Sequence, residues 1–393
     1  MLCFDFIDYS LGTQGVKAEK TVFEDGKIKI WLEMPRKSQK CPCCGEETEK
    51  IHDYRNQTIK AGELNGYLAE IVYRKRRYRC TECGKRFYED NSFVGRYKRM
   101  TKLMVMRLTT MVKGTKSFTE VGKELGISTQ TVIRYFNLRG FSKLGKLPEV
   151  LGIDEFRGNT GGEKYHVSIT DPKNRKMLDV VHKRSESFLS QYFRSFPKEE
   201  RDKVKYFVSD MYKPYARLAE SWFPKAEFIV DRFHWIRQLF WAFENVRKRI
   251  QNTFGKDHRR YFKHSRKLLM KRFDELKDDS KQQVLILLGL SPDLSSAHFY
   301  KEKLQAILDM SDSKEQKKAF IKMCDGMKQS GIPELEKCAD TYYNWLKGIL
   351  ASFDYPYSNG FTEGNHNKIK VLKRNGYGYK NFERFRKRIL NMS

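Results

Sequence analysis

The chain predicts a multidomain protein: two small N-terminal modules, then an α/β core interrupted by an all-helical segment. Three observations carry that reading. Five of the eight cysteines fall between residues 41 and 83. A helical hairpin punctuated by two glycines follows at 117–135. From residue 147, short apolar runs bounded by turn signals read as buried strands, until residues 232–350 turn rich in Lys, Leu, Gln and Glu with helical periodicity.

Composition narrows the partners. The 393 residues carry 77 Lys+Arg against 49 Asp+Glu, a net charge of +28 with pI near 9.6, which favours a polyanion such as nucleic acid. No apolar run approaches the roughly 20 residues a membrane helix needs. The start MLCFDFIDYS lacks the basic opening of a signal peptide, so a soluble intracellular chain is expected. Thiols stay reduced there, and clustered cysteines hold metal more often than they pair.

In chain order, residues 1–92 hold Cys41-Pro-Cys43-Cys44-Gly45 and Cys80-Thr-Glu-Cys83-Gly84. Two C-x-x-C pairs supply four thiolates to a tetrahedral zinc ion, and each trailing glycine suits a tight knuckle. Cys41, Cys44, Cys80 and Cys83 are the expected ligands of a zinc ribbon that binds DNA. Cys43 is a bystander or a substitute for Cys41. Between the pairs, residues 70–78 read as one basic strand. Cys3, Cys324 and Cys338 read as packed side chains.

Residues 93–145 read as a helix-turn-helix domain, with a first helix at 101–113 and the hairpin at 117–135. Gly122 lets two helices approach, Gly126 permits the turn, and Ser128 caps the second helix. Val121, Leu125, Ile127, Val132 and Tyr135 form its inner face, leaving Thr129, Gln130 and Arg134 to project toward a major groove.

Residues 146–231 open the core. Strands are expected at 149–156, 165–170, 176–182, 204–209 and 227–230, with helices near 186–195 and 211–221. Three consecutive strands followed by alternating helix and strand make the order of a ribonuclease-H-like fold. Residues 232–350 form its helical insertion and 351–393 its C-terminal helical part. Asp154 and Asp210 follow apolar runs, where a carboxylate at a strand's end meets solvent and a cation can reach it. Glu363 opens a basic segment.

The order of these motifs resembles bacterial insertion-sequence transposases of the ISL-three family: cysteine knuckles, helix-turn-helix, Gly152-Ile-Asp-Glu-Phe156, Ser209-Asp-Met211, Asp231-Arg-Phe-His234 and Ser358-Asn-Gly-x-x-Glu-Gly364. The resemblance spans nearly the whole chain and includes Lys368-Ile-Lys370, Lys373-Arg374 and Gly378-Tyr379. It implies a DDE transposase of the bacterial cytoplasm, associated with the nucleoid. Such an enzyme binds the terminal inverted repeats and a target in double-stranded DNA, working as at least a dimer. It implies Asp154, Asp210 and Glu363 as catalytic acids. Asp154 would bridge two magnesium (or manganese) ions, with Asp210 and Glu363 holding one each, so that the attacking and leaving oxygens are clamped in line.

Alternatives remain at each acid. Glu155 competes with Asp154, Asp231 with Asp210, and Glu363 also suits an ordinary first helical turn. Asp231 and His234, three apart at a helix start, read either as an accessory pair near the site or as a structural one. Trp235 and Trp241 read as base-stacking or core residues. Lys370 lies two turns beyond Glu363. With Lys373 and Arg374 it belongs to nine Lys/Arg in 364–393, interleaved with Tyr377, Tyr379, Phe382 and Phe385, a pattern that fits a DNA track. A domesticated DNA-binding regulator and a structure-specific nuclease of the same fold are the competing functions. The intact acids argue against the first, and the sequence-reading N-terminus argues against the second.

Overall fold

The computed structural model describes residues 11, 13, 16–138, 140, 144–255, 259, 262 and 265–392. They fall into two compact units, Met1–Phe141 with Lys368–Met392, and Ser142–Asn367.

The first unit begins with β1 (Lys17–Glu24) and β2 (Lys27–Glu33), then the short ribbon strands β3 (Gln39–Lys40) and β4 (Glu47–Thr48). The long β5 (Ile51–Leu64) and β6 (Tyr67–Arg79) and the short β7 (Arg86–Tyr88) complete it. The main sheet runs β1-β2-β6-β5, with β7 on β6. Both long hairpins turn on two residues of positive φ, Asp25-Gly26 and Asn65-Gly66, whose twist matches that of the strands they join. Where one basic strand was expected there is a five-stranded sheet, because alternation in β6 buries Ala69, Ile71 and Tyr73 against Ile30, Leu32 and Ile59.

Next come α1 (Lys102–Met111), α2 (Phe118–Glu124) and α3 (Thr129–Leu138). Ser117 and Glu120 form a reciprocal capping box at the start of α2. A Cβ on Gly122 would meet the Ile127 carbonyl at 2.8 Å, so the close approach requires glycine. Gly126 makes the turn at φ +61°, and Ser128 Oγ accepts from the Thr131 N–H at 3.2 Å. Val121, Leu125, Val132 and Phe136 are buried, with Ile127 and Tyr135 packed around them. Gln130 and Arg134 are exposed and Thr129 is half-buried.

The second unit is built on β8 (Val150–Thr160), β9 (Glu163–Asp171) and β10 (Lys176–Val181), an antiparallel meander. Then follow α4 (Glu186–Arg194), α5 (Lys198–Arg201), β11 (Tyr206–Ser209), α6 (Lys213–Trp222) and β12 (Glu227–Val230). The sheet order is β10-β9-β8-β11-β12, with β11 parallel to both neighbours. Leu151, Ile153, Val167 and Ile169 pack one sheet face against Leu189 and Phe193 of α4 and Leu218 of α6.

Among the described residues seven helices follow: α7 (Arg232–Thr253), α8 (Ser265–Met270), α9 (Asp278–Gly289), α10 (Pro292–Asp309), α11 (Ser313–Lys328), α12 (Pro333–Asn344) and α13 (Leu346–Asp354). Their own core surrounds Trp235, Phe320 and Tyr342. Trp235 is therefore a core residue, its indole N–H donating to Ser352 Oγ at 3.2 Å, whereas Trp241 is about half exposed. Cys324 and Cys338 are packed in the same core, and Cys3 lies outside the described residues.

The chain ends with α14 (Gly360–Asn375) and α15 (Phe382–Met392). Here the structure differs from the sequence boundaries, which kept 351–393 together, since Lys368–Met392 belongs to the first unit. The reason is Arg388. It is fully buried and donates to the carbonyls of Val112, Gly114 and Lys116 at the end of α1. Tyr379 stacks on buried Phe385, with ring centroids 4.9 Å apart. These three are internal packing and drop out of the expected DNA track. No helix among the described residues is long and apolar enough to cross a membrane.

Candidate active site and nucleic-acid surfaces

Three aspartates form a row across the second unit's sheet, where β11 and β12 end. Asp210 directly follows β11 and Asp231 directly follows β12. Asp154 is not at its strand's end, because β8 runs on to Thr160. It lies two residues past Gly152, where the pairing with β11 stops. Carrying the Val208↔Gly152 register two residues on sets Asp210 beside Asp154. Carrying Ser209↔Val230 one residue on sets Asp210 beside Asp231. The carboxyl edge of parallel strands is where open α/β sheets take ligands.

The electrostatics agree with that row. Burial pushes the Asp154 carboxyl up to about 7, and the charges of Asp210, Asp231 and Glu155 add to it against the Glu155 N–H that Oδ1 accepts at 2.7 Å. Burial pushes Asp210 up to about 6, with Glu155 and Asp231 adding and Arg237 opposing. Asp231 is also raised, by burial first and then by Glu363, against the Asn359 N–H. Among the described residues the buried Asp210 Oδ1 has no hydrogen-bond partner, and neither does the Tyr215 hydroxyl, whose pKa burial and the charges of Glu155, Asp210 and Asp154 raise. Glu155 gives both carboxylate oxygens to Arg184 at 2.9 and 3.0 Å.

Glu363 is exposed in the first turn of α14, and the start of that helix is stitched to the sheet by four polar contacts. Asn359 Nδ2 donates to the Ile153 carbonyl at 3.1 Å, while its backbone N–H donates to Asp231 Oδ1 at 3.0 Å. Thr362 and Thr170 hydroxyls meet at 3.1 Å. His366 Nε2 and Ser168 Oγ lie 2.9 Å apart. Since the Ser168 hydroxyl donates to the Asp154 carbonyl at 3.0 Å, His366 must donate through Nε2, and its Nδ1 faces Asp154 Oδ2 at 3.7 Å. A Cβ on Gly152 would meet Asn359 Oδ1 at 2.9 Å and Thr170 Oγ1 at 2.5 Å, which explains the glycine in Gly-Ile-Asp.

The Asp231–His234 pair comes within 3.7 Å, and burial lowers the His234 pKa. Residues the sequence did not single out are Tyr215, Ser168 and Thr170, together with the bridging roles of Asn359 and His366. Alternate inward positions on β9 were the available signal for Ser168 and Thr170.

In the first unit, the Sγ atoms of Cys41 and Cys83 are 3.5 Å apart, as are those of Cys44 and Cys80, and Cys44 to Cys83 is 3.6 Å. A tetrahedron of sulfurs about 2.3 Å from zinc has edges of about 3.8 Å, so the four thiols fit that ion. Burial works to raise the Cys41 thiol, but the Cys44 and Cys43 N–H groups and the neighbouring thiols outweigh it and hold it down to about 6. Cys43 is exposed and contributes its N–H, at 3.4 Å from Cys41 Sγ. Among the described residues these four cysteines are the one His/Cys/Asp/Glu group gathered within 4.8 Å; the carboxylates of the second unit are more widely spaced.

Comparison with known proteins covers the same three regions. A family model described as transposase matches residues 151–389. Another, the zinc-finger of transposase IS204/IS1001/IS1096/IS1165, matches 37–83. A third, the helix-turn-helix domain of transposase family ISL3, matches 89–140. The chain is 26% identical over 390 residues to the transposase for insertion sequence element IS1001 of Bordetella parapertussis, covering 95% of this chain and 94% of that protein.

Proposed function

Because the chain belongs to the ISL3 family of transposases, we propose that it binds the terminal inverted repeats of an insertion sequence and catalyses metal-dependent strand cleavage and strand transfer on a ribonuclease-H-like core. The sheet supports the fold assignment: three antiparallel strands in sequence, then two parallel strands added beside the first. The helices from 232 to 350 are its insertion.

The observation that carries the chemistry is the row of buried carboxylates, mutually raised in pKa, beside an unpartnered Asp210 oxygen. Like charges are brought together out of water at a cost that folding alone does not recover, and a divalent cation compensates it. Asp154, Asp210 and Glu363 would hold magnesium or manganese, which supplies Lewis acidity to the attacking and leaving phosphate oxygens. Asp154 offers Oδ2, since Oδ1 is engaged by the Glu155 N–H. Asp210 offers its unpartnered oxygen. Glu363 is held in reach by the Asn359, Thr362 and His366 contacts. Asp231 anchors the Asn359 backbone, and with it the start of the helix that bears Glu363.

DNA capture belongs to the other unit. Gln130 and Arg134, with Thr129, are the base-reading side chains of α3, and Lys370, Lys373 and Arg374 contact phosphate. The four-cysteine zinc ion is structural. Joining two ends of one element calls for at least two copies on DNA.

Asp154→Ala, Asp210→Ala and Glu363→Ala should each abolish cleavage and strand transfer while leaving binding to the terminal repeat within about two-fold, because recognition sits in the first unit. Near wild-type strand transfer by Glu363→Ala in magnesium would overturn this assignment.

A further inference from the structure

In the first unit a groove of about 790 Å³ opens between the cysteine ribbon, the outer strands β5 and β7, and the segment before α1. Six of the cations that line it are Lys40, Arg55, Lys75, Arg86, Arg96 and Arg99. Among the described residues none of the six has a carboxylate within 4.0 Å. The contrast with the adjoining β6 is sharp: Arg74 and Arg76 pair with Glu33, and Arg77 pairs with Asp53. Two acids line it. Glu89 is buried and committed inward, accepting from the Tyr73 hydroxyl at 2.6 Å and the Arg76 N–H at 2.9 Å. Asp90 is exposed but, among the described residues, pairs with no cation within 4.0 Å, so the cations still outnumber the acids. Lys75 is only half exposed, over the Tyr88 ring at 4.6 Å, and burial lowers its pKa. Concentrating unneutralised cations in a concave surface costs self-repulsion, which an anion relieves.

A second observation is independent of charge. Tyr97 lines the same groove in a four-residue turn, closed by the Lys98 N–H on the Gly95 carbonyl at 2.9 Å. It is the third residue of that turn, at φ +61°, a conformation that glycine or asparagine ordinarily takes. Its ring is 86% exposed. The turn is braced from β5, since Gln57 Nε2 donates to the Lys98 carbonyl at 2.9 Å and the Lys60 N–H to the Arg99 carbonyl at 3.0 Å. The ring lies 5.0 Å from the Arg96 guanidinium, itself one of the groove's cations, and a strained backbone that holds it out in solvent adds little to folding. Such outliers point to a binding role.

We propose that this groove grips one phosphodiester strand of a DNA duplex, with Tyr97 laid against its sugar–base edge, as a second DNA site apart from α3. Spaced guanidinium and ammonium groups match successive phosphates, and a ring at the rim gives a sequence-tolerant contact. The inference rests on the DNA-binding reading above.

The test uses the full chain and two duplexes, one of random sequence and one carrying a terminal inverted repeat. Binding is followed by fluorescence anisotropy across a salt series. The Arg55→Gln/Arg86→Gln/Arg99→Gln triple variant should lose about ten-fold or more on both duplexes alike. Its plot of log affinity against log salt should flatten by roughly 0.9 for each phosphate that is no longer neutralised. Tyr97→Gly should lose about five-fold while its unfolding midpoint stays equal or rises, because the substitution relieves the turn. Arg134→Ala is the reference, expected to lose preference for the repeat. If the triple variant keeps affinity and salt slope while Arg134→Ala still loses preference, the groove is refuted and the DNA-binding reading stands. If wild type binds neither duplex, both fall together. A lowered midpoint in Tyr97→Gly would make the ring structural and overturn its proposed role on DNA.

Discussion

Asp231 shows how a residue's role follows from what each of its oxygens touches. Oδ1 accepts the Asn359 N–H, so an asparagine there preserves the anchor and removes only the charge. Asp231→Asn should retain strand transfer within about three-fold, whereas Asp231→Ala, which frees the start of α14, should lose on the order of a hundred-fold through misplacement of Glu363. Equal loss in both variants would instead make the carboxylate a ligand. The same row of acids sets a pH dependence. Asp154 at about 7 and Asp210 at about 6 lie above the ordinary 3.8, so between about pH 4 and 7 the folded chain holds protons that the unfolded chain has released. Stability is then fully present below about pH 4 and is lost as pH rises through 6 and 7. In magnesium-free buffer the unfolding midpoint of the second unit should fall across that range. Asp154→Asn should raise it by several degrees at pH 8, and added magnesium should do the same for wild type. A midpoint flat with pH in calorimetry would contradict the raised pKa values. Asp154 and Asp210 were legible because each follows an apolar run. The anchoring role of Asp231 was not, since it depends on a backbone contact 128 residues away.

At the scale of elements, legibility follows how local the determinant is. The turn between α2 and α3 was readable because Gly122, Gly126 and Ser128 act within a dozen residues. The sheet of the first unit was under-read, although Asp25-Gly26 and Asn65-Gly66 between alternating runs are strong hairpin signals. The placement of α15 was not legible at all. Its amphipathic pattern says that one face is buried, but what covers it is set by Arg388 meeting carbonyls more than 270 residues earlier. A cation at the end of α1 also complements the helix dipole. Arg388→Met removes the donor that joins the Val112, Gly114 and Lys116 carbonyls, leaving Val112 only its bond from Asn391, and should destabilise the first unit by about 2 kcal/mol or more. Arg388→Lys, with a single ammonium, should fall between. Loss of repeat binding should accompany the shift, and the second unit's melting should not move. Unchanged first-unit stability in Arg388→Met would show that the packing of α15 does not rest on this residue.

For the whole molecule, the net charge of +28 tells little about which part does what, because the units proposed for capture and for chemistry have separate cores. One unit buries its residues around the β1-β2-β6-β5 sheet and the α1–α3 helices. The other buries its own around β8–β12 and the α7–α13 helices. Under the proposed function each unit takes a different metal, and removing them should have different consequences. Structural zinc is bound by thiolates in a closed four-coordinate site, while magnesium keeps water and exchanges readily. Freshly reduced protein should carry about one zinc per chain. Cys80→Ser should lose that zinc and most repeat binding, since the ribbon's folding energy comes largely from the ion. The second unit should keep its melting transition and its magnesium-dependent stabilisation at pH 8. Withdrawing magnesium alone should do the opposite, halting strand transfer while repeat binding persists. The decisive measurement is calorimetry of Cys80→Ser with and without magnesium. If losing zinc also abolished the magnesium response of the second unit, the two halves would be one cooperative body, and capture could not be separated from cutting.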